Sequence, residues 1–170
     1  MSRNVNDLTD ATLAKVVLVI EYCKSKEVNI LIYSTLRTLE EQARIYRRGR
    51  SYSDIKVKMK KLTDRGFKPL AEVIESVGPQ YKKGIITHAA PGESYHNYGR
   101  AFDAVPVVDS KAMWNDDELY AVYGEAVRNA GLTWGGDWTK FLDKPHAQLG
   151  LGGNPLKIYS KADIYEMLNL

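Results

Sequence analysis

His96 and Asp103 stand seven residues apart, with Gly99 between them, in the stretch Ser94-Tyr95-His96-Asn97-Tyr98-Gly99-Arg100-Ala101-Phe102-Asp103. An imidazole and a carboxylate can share one metal ion, and the spacing dictates how. On a single helix the two side chains would return to the same face about 10.5 Å apart along the axis, at 1.5 Å per residue. Bonds of about 2 Å from one ion to each are then out of reach. The pair meets only if Asn97, Tyr98 and Gly99 turn the chain and Ala101-Phe102-Asp103-Ala104-Val105 returns as a strand. Gly99, free to take a positive φ, suits that turn.

Two ligands do not make a tight transition-metal site. Of the other two histidines, His146 is the better third ligand. It follows Pro145, which blocks helix and favours an extended entry, and it begins the run Ala147-Gln148-Leu149, which reads as a strand edge. Two imidazoles and one carboxylate leave a fourth position for water, the donor set of hydrolytic rather than structural zinc. One Zn2+ per chain is expected, and Asp143, close to His146 in sequence, is left over as a base. His88 matches no ligand position and reads as an ordinary satisfied polar residue. An iron-dependent oxygenase also uses two histidines and a carboxylate; its first pair is His-x-Asp, which the longer gap here does not match.

The pattern Ser-x-His-x6-Asp, followed by a Trp/Gly-rich segment and then acid-x-x-His, resembles the LAS-type zinc peptidases. These are the D-alanyl-D-alanine carboxypeptidase and dipeptidase superfamily, with the phage L-alanyl-D-glutamate endopeptidases. Thr87, Gly92, Ser94, His96, Gly99, Ala101 and Asp103 match its central motif. Trp134-Gly135-Gly136-Asp137-Trp138 with Asp143 and His146 match its C-terminal one. Upstream, Ser34-Thr35-Leu36-Arg37-Thr38-Leu39-Glu40-Glu41-Gln42, then Tyr46 and Gly49-Arg50, is similar to its N-terminal signature. The likeness covers roughly residues 8 to 150. The chain departs from the family pattern in two places: the connection from Arg50 to Ile86 is longer and richer in lysine, and the base is Asp143 where many relatives carry glutamate.

The resemblance implies the hedgehog/D,D-peptidase-like fold. This is an α+β domain in which a small, mostly antiparallel sheet and its adjoining loops carry the metal ligands, with helices packed to one side. It also implies amide hydrolysis. Zinc on His96, Asp103 and His146 would activate water and polarise the scissile carbonyl, while Asp143 takes the water's proton and passes it to the leaving amine. Arg37 would hold the oxyanion or a substrate carboxylate, and Ser94 and Gln42 would contact substrate or support the site. The implied substrate is the stem peptide of peptidoglycan, cut between L-alanine and D-glutamate as by a phage endolysin. A D,D-carboxypeptidase or dipeptidase is the alternative, and a non-catalytic zinc-containing module of the same fold is a further one. Asp143 and Arg37 together favour the enzyme.

The whole chain is consistent with these expectations. Its 170 residues fit one peptidase domain, with 51–83 as a helical insertion, 150–170 as a C-terminal extension and no separate wall-binding domain. Lys and Arg number 24 against 21 Asp and Glu, an excess too small for a dedicated nucleic-acid binder. A single cysteine, Cys23, forms no internal disulfide and, set in an apolar periodic segment, reads as a buried inert thiol. The start lacks the basic and apolar regions of a signal peptide, and Val16-Val17-Leu18-Val19-Ile20 is too short to enter a bilayer as a span. A monomer is expected in the host cytoplasm, acting on the wall after release, as through a holin.

The elements that must position these residues follow from pattern. Leu13, Val16, Val17 and Ile20 recur at helical spacing from about Thr9 to Lys26, with Asp7 or Thr9 as the cap. Residues 29–33 read as a buried strand, and Thr38 with Glu41 forms a capping box for a helix to about Arg48. Arg37 thus sits at a strand end just before a helix. Leu70, Val73, Ile74 and Val77 mark a helix within 51–83. Asp116 or Asp117 starts a helix whose Leu119, Val122, Tyr123, Ala126 and Val127 face inward, stopped at Gly131, with a strand near 132–134 after it. Trp134 is expected in the core, Gly135-Gly136 permits close backbone approach, and Ser160 with Asp163 caps a last helix through Leu168.

Overall fold

The computed structural model describes residues 1–81, 84–150 and 152–170. In chain order its elements are α1 (Asp10–Ser25), β1 (Asn29–Ser34), α2 (Leu39–Arg47), α3 (Tyr52–Asp64), α4 (Lys68–Ser76), β2 (Ala101–Val108), β3 (Lys111–Ala112), α5 (Asp117–Asn129), β4 (Thr133–Trp134), β5 (His146–Gln148), α6 (Pro155–Ile158) and α7 (Lys161–Leu168). Short 3₁₀ turns cover Val5–Asp7, Tyr95–Tyr98 and Gly135–Asp137. The chain thus adopts the expected α+β class, with one small sheet in which every strand pair is antiparallel. It divides into two compact units.

The first unit comprises Met1–Leu36 and Tyr98–Gly152 and holds the whole sheet, in the order β1-β2-β5-β4 with β3 on β2. Phe102, Trp134 and Ala147 of the sheet share a core with Val16, Val19 and Cys23 of α1 and with Tyr120, Tyr123, Ala126 and Val127 of α5. Thr9 caps α1, its side chain accepting the Thr12 N–H. The buried face of that helix is Thr12, Val16, Val19 and Cys23, whereas Val17 is 46% exposed. Apolar residues occupy five consecutive positions from Val16 to Ile20, so more than one stripe of period 3.6 fits them, and packing selects the stripe. On α5, Leu119 and Val122 are only partly buried, and the neighbouring Tyr120 is fully so. Burial pushes the Cys23 thiol up to about 11, consistent with an unreactive core cysteine.

β2 reverses into β3 through Asp109 and Ser110, at φ 48° and 63°. Positive φ at both central positions is the two-residue hairpin turn whose twist matches its strands. The sequence carries no Asn-Gly or Asp-Gly signal there, so the hairpin is not legible from it.

The second unit comprises Arg37–Asn97 and Gly153–Leu170. The Thr38–Glu41 capping box opens α2 and the Ser160–Asp163 box opens α7, as expected, and Ser51 with Asp54 forms a third at α3. Tyr46, Ile55, Leu62, Leu70, Ile74 and Ile164 are buried. Polar side chains bind the elements together. Arg47 donates to the Ile74 carbonyl at 2.8 Å, Arg65 to that of Leu156 at 2.7 Å, and the Tyr165 hydroxyl to that of Gly66 at 2.8 Å. Lys58 pairs with Glu93 at 2.6 Å, and Glu93 also accepts from Asn154 at 2.8 Å. Among the described residues no helix is long and apolar enough to cross a membrane.

Candidate metal centre

The β2–β5 ladder does the first part of the positioning. Asp103 and His146 are direct cross-strand partners, as are Phe102 with Ala147 and Ala101 with Gln148. Side chains alternate across a strand, so with Phe102 and Ala147 in the core, Asp103, His146 and Gln148 share the other face. His146 Nδ1 lies 3.1 Å from Asp103 Oδ1, and its Nε2 lies 3.0 Å from Gln148 Oε1. Ala104 N–H donates to the Pro145 carbonyl at 3.0 Å, and the Tyr123 hydroxyl donates to the same oxygen at 2.9 Å. The residue before His146 is therefore held from both strand and helix.

The turn into β2 takes the expected form. Tyr95–Tyr98 is a 3₁₀ turn and Gly99 has φ 62°. A Cβ at Gly99 would come within 2.9 Å of the Asp7 carbonyl oxygen, so glycine is needed for space as well as for conformation. His96 is fixed by its backbone: its carbonyl accepts from Arg37 N–H at 3.1 Å. Asn97 completes the clamp, its Nδ2 donating to the Arg37 carbonyl at 2.9 Å and its Oδ1 accepting from Gly92 N–H at 3.0 Å. The sequence pattern places Asn97 in the turn and shows nothing of this clamp. The only signal is the general ability of asparagine side chains to satisfy loop backbone.

His96, Asp103 and His146 are all buried, and each offers one ligand atom within 4.8 Å of the others. Atoms bound tetrahedrally at about 2.1 Å stand roughly 3.4 Å apart, so small side-chain rotations suffice for a common ion. The donor set, two neutral-capable imidazoles and one carboxylate, suits a borderline cation such as zinc. The group could therefore bind a metal. His88 is exposed and lies outside it.

The electrostatics suit the binding of a cation. Burial acts most strongly on His146 and lowers its pKa, but the hydrogen bond and charge of Asp103, the charge of Asp143 and the bond to Gln148 together outweigh it and raise the pKa above the ordinary value. A bound cation must displace that proton. Tyr120 is pushed up to about 12, first by burial and then by the charges of Asp143 and Asp103, and it stays a neutral phenol at neutral pH.

Asp143 is placed by backbone. Its N–H donates to the Gly135 carbonyl at 3.0 Å, and its own carbonyl accepts from His146 N–H at 3.1 Å. A Cβ at Gly135 would stand 3.0 Å from His146 Cβ and 3.2 Å from Asp143 Cβ, and closer still to the Asp143 carbonyl oxygen. The close approach expected at Gly135-Gly136 thus falls on the segment that carries the base candidate. Trp134 is buried in the core, as expected, with Nε1 donating to the Lys144 carbonyl at 2.7 Å. Trp138 packs on His146, ring centroids 5.1 Å apart.

Of the remaining candidates, Gln42 is fully buried, not on the helix surface. Its Oε1 accepts from Arg37 Nη1 at 2.9 Å, and its Nε2 donates to the Ala89 carbonyl at 2.7 Å. Arg37 is half-buried, with its backbone joined to the His96–Asn97 turn. Ser94 is buried and its carbonyl accepts from Asn97 N–H at 3.0 Å.

Residues 87–149 match the family described as D-alanyl-D-alanine carboxypeptidase. That segment contains the three buried metal-ligand candidates and Asp143, in line with the resemblance carried by the motifs. Among individual proteins, the chain is similar to the peptidoglycan L-alanyl-D-glutamate endopeptidase CwlK of Bacillus subtilis strain 168, 30% identical over 137 residues, covering 74% of this chain and 63% of that protein. It is also similar to the L-alanyl-D-glutamate peptidase of Listeria phage A118, 26% identical over 161 residues, covering 93% of this chain and 43% of that protein. The chain therefore spans less than two thirds of either relative. Among solved structures, the Serratia marcescens L-Ala D-Glu endopeptidase ChiX superposes with a TM-score of 0.45 at 19% identity, over 86% of this chain and 84% of that one.

Proposed function

We propose that the protein is a zinc-dependent peptidoglycan peptidase that hydrolyses the L-alanyl-D-glutamate bond of the stem peptide, as a phage endolysin does. The observation that carries this reading is the buried His96, Asp103 and His146 group, its ligand atoms within 4.8 Å. Two relatives named for cleavage of that bond support the choice of substrate. Zinc, when bound, supplies a Lewis acid for the scissile carbonyl and lowers the pKa of water. His96, Asp103 and His146 hold it. Asp143 accepts the proton of the attacking water on its carboxylate and returns it to the departing amine. Arg37, with Nη1 braced by Gln42, presents its guanidinium to the oxyanion or to a substrate carboxylate, and Ser94 helps to shape the substrate contact. We assign the activity to a monomer that is made in the host cytoplasm and reaches the wall after release.

Mass spectrometry of digested peptidoglycan tests this. The expected products are glycan-linked L-alanine and peptides with a new N-terminal D-glutamate, abolished by a chelator and restored by zinc. Release of terminal D-alanine alone would make the protein a carboxypeptidase. Intact peptidoglycan with zinc-loaded protein would make it a binding module.

The Arg37 assignment makes a separate prediction. Lysine keeps the charge but lacks the planar fork, so Arg37→Lys is expected to lower kcat/KM by about 100-fold or more, the scale of a lost oxyanion donor. The melting temperature should hardly move. Wild-type kcat/KM in this variant would limit Arg37 to bracing Gln42.

A further inference from the structure

Gln148 stands in neither the ligand set nor the acid–base set, yet it is 4% exposed and its side-chain oxygen lies 3.0 Å from His146 Nε2. The other ring nitrogen, Nδ1, lies 3.1 Å from Asp103 Oδ1. A neutral imidazole carries one N–H and one lone pair, and the partner of one nitrogen decides which is which. Both partners here are acceptors, so neither alone fixes the hydrogen on the metal-free ring. Nδ1, however, lies on the side of the ligand candidate Asp103, and a cation shared with that carboxylate would displace any hydrogen there and leave the ring's hydrogen on Nε2, against the Gln148 oxygen. We infer that Gln148 is a positioning residue that holds His146 in the Nε2–H form, so that Nδ1 is the nitrogen offered to the metal. This deepens the reading of the site as a metal centre and rests on it.

The surroundings of Gln148 agree. Its cross-strand partners are Ala101 on β2 and Thr133 on β4, and the Thr133 hydroxyl is turned away to the Gly150 carbonyl at 2.9 Å. Neither competes for the amide oxygen. Among the described residues the amide nitrogen of Gln148 is buried with no hydrogen-bond partner. The only side-chain hydrogen bond shown for the amide is thus the one on its oxygen, to the His146 ring. Partners that orient a metal-bound histidine typically change metal affinity by about 10- to 100-fold when removed.

The test compares wild type, Gln148→Met, which keeps the length and removes the acceptor, and Gln148→Glu, which keeps an acceptor. Chelator competition reads zinc affinity, nitrogen NMR of the His146 ring reads which nitrogen bears the hydrogen and which the metal, and melting of the metal-free proteins reads the fold. Expected are zinc on Nδ1 with hydrogen on Nε2 in wild type, a drop in affinity of about 10-fold or more in Gln148→Met, recovery in Gln148→Glu, and melting temperatures that stay close together. Zinc on Nε2, or unchanged affinity in Gln148→Met, would overturn the inference. A protein that takes up no zinc would overturn the metal-centre reading instead, and the metal-free NMR spectrum would still report the His146 tautomer.

Discussion

Asp143→Asn is expected to keep its zinc and its melting temperature while losing at least about 100-fold in turnover, the scale of a general acid–base residue. Asparagine is close in size to aspartate and leaves untouched the backbone bonds that place this residue, from its N–H to the Gly135 carbonyl and from His146 N–H to its own carbonyl. What is removed is the carboxylate's negative charge and with it the ability to carry a proton. Asp143→Glu should retain partial activity, because it moves the carboxylate outward by one methylene toward the length that many relatives use. Zinc content and turnover measured on the same samples decide the assignment. If Asp143→Asn loses zinc while Asp103→Asn keeps it, the roles of the two aspartates are reversed, with Asp103 orienting a histidine.

The second large effect is on metal content itself. Alanine at His96, Asp103 or His146 leaves two ligands, too few for a tight transition-metal site, so zinc should fall from one ion per chain to under about a tenth at equilibrium with a mild chelator. His88→Ala should leave zinc unchanged, since His88 is exposed and outside the group. Elemental analysis of the four variants reads this directly. Full zinc retention in any of the first three would remove that residue from the ligand set.

What the sequence shows clearly is whatever depends on local chemistry. The Thr38–Glu41 and Ser160–Asp163 capping boxes, the Gly99 turn and the strand that returns Asp103 follow from rules spanning fewer than ten residues, and the structure has them. The grouping of His96, Asp103 and His146 was also legible, because distance arguments excluded a single helix and Pro145 pointed to a strand. Less legible was anything decided by packing. The face that α1 buries, the inward turn of Tyr120 and the burial of Gln42 depend on partners remote in sequence. Gln42 and Arg47 show why: both are polar, both are buried on α2, and each is satisfied by a carbonyl more than twenty residues away. Hydropathy assigns such residues to the surface. Asn97 and Gln148 escaped for a related reason, since an amide announces nothing until its partner is known.

Asp103 and His146 occupy one rung of an antiparallel ladder, although 43 residues separate them in the chain. A strand that slips by a single residue turns every side chain to the opposite face, so a misregistered β5 would bury the imidazole in the core and present Ala147 to the ion. An ion that requires both residues would therefore proofread strand alignment. Its binding energy would be available only to the correctly aligned chain and would count toward folding. Metal capture during refolding would then mark the moment at which the two halves of the first unit have found their register.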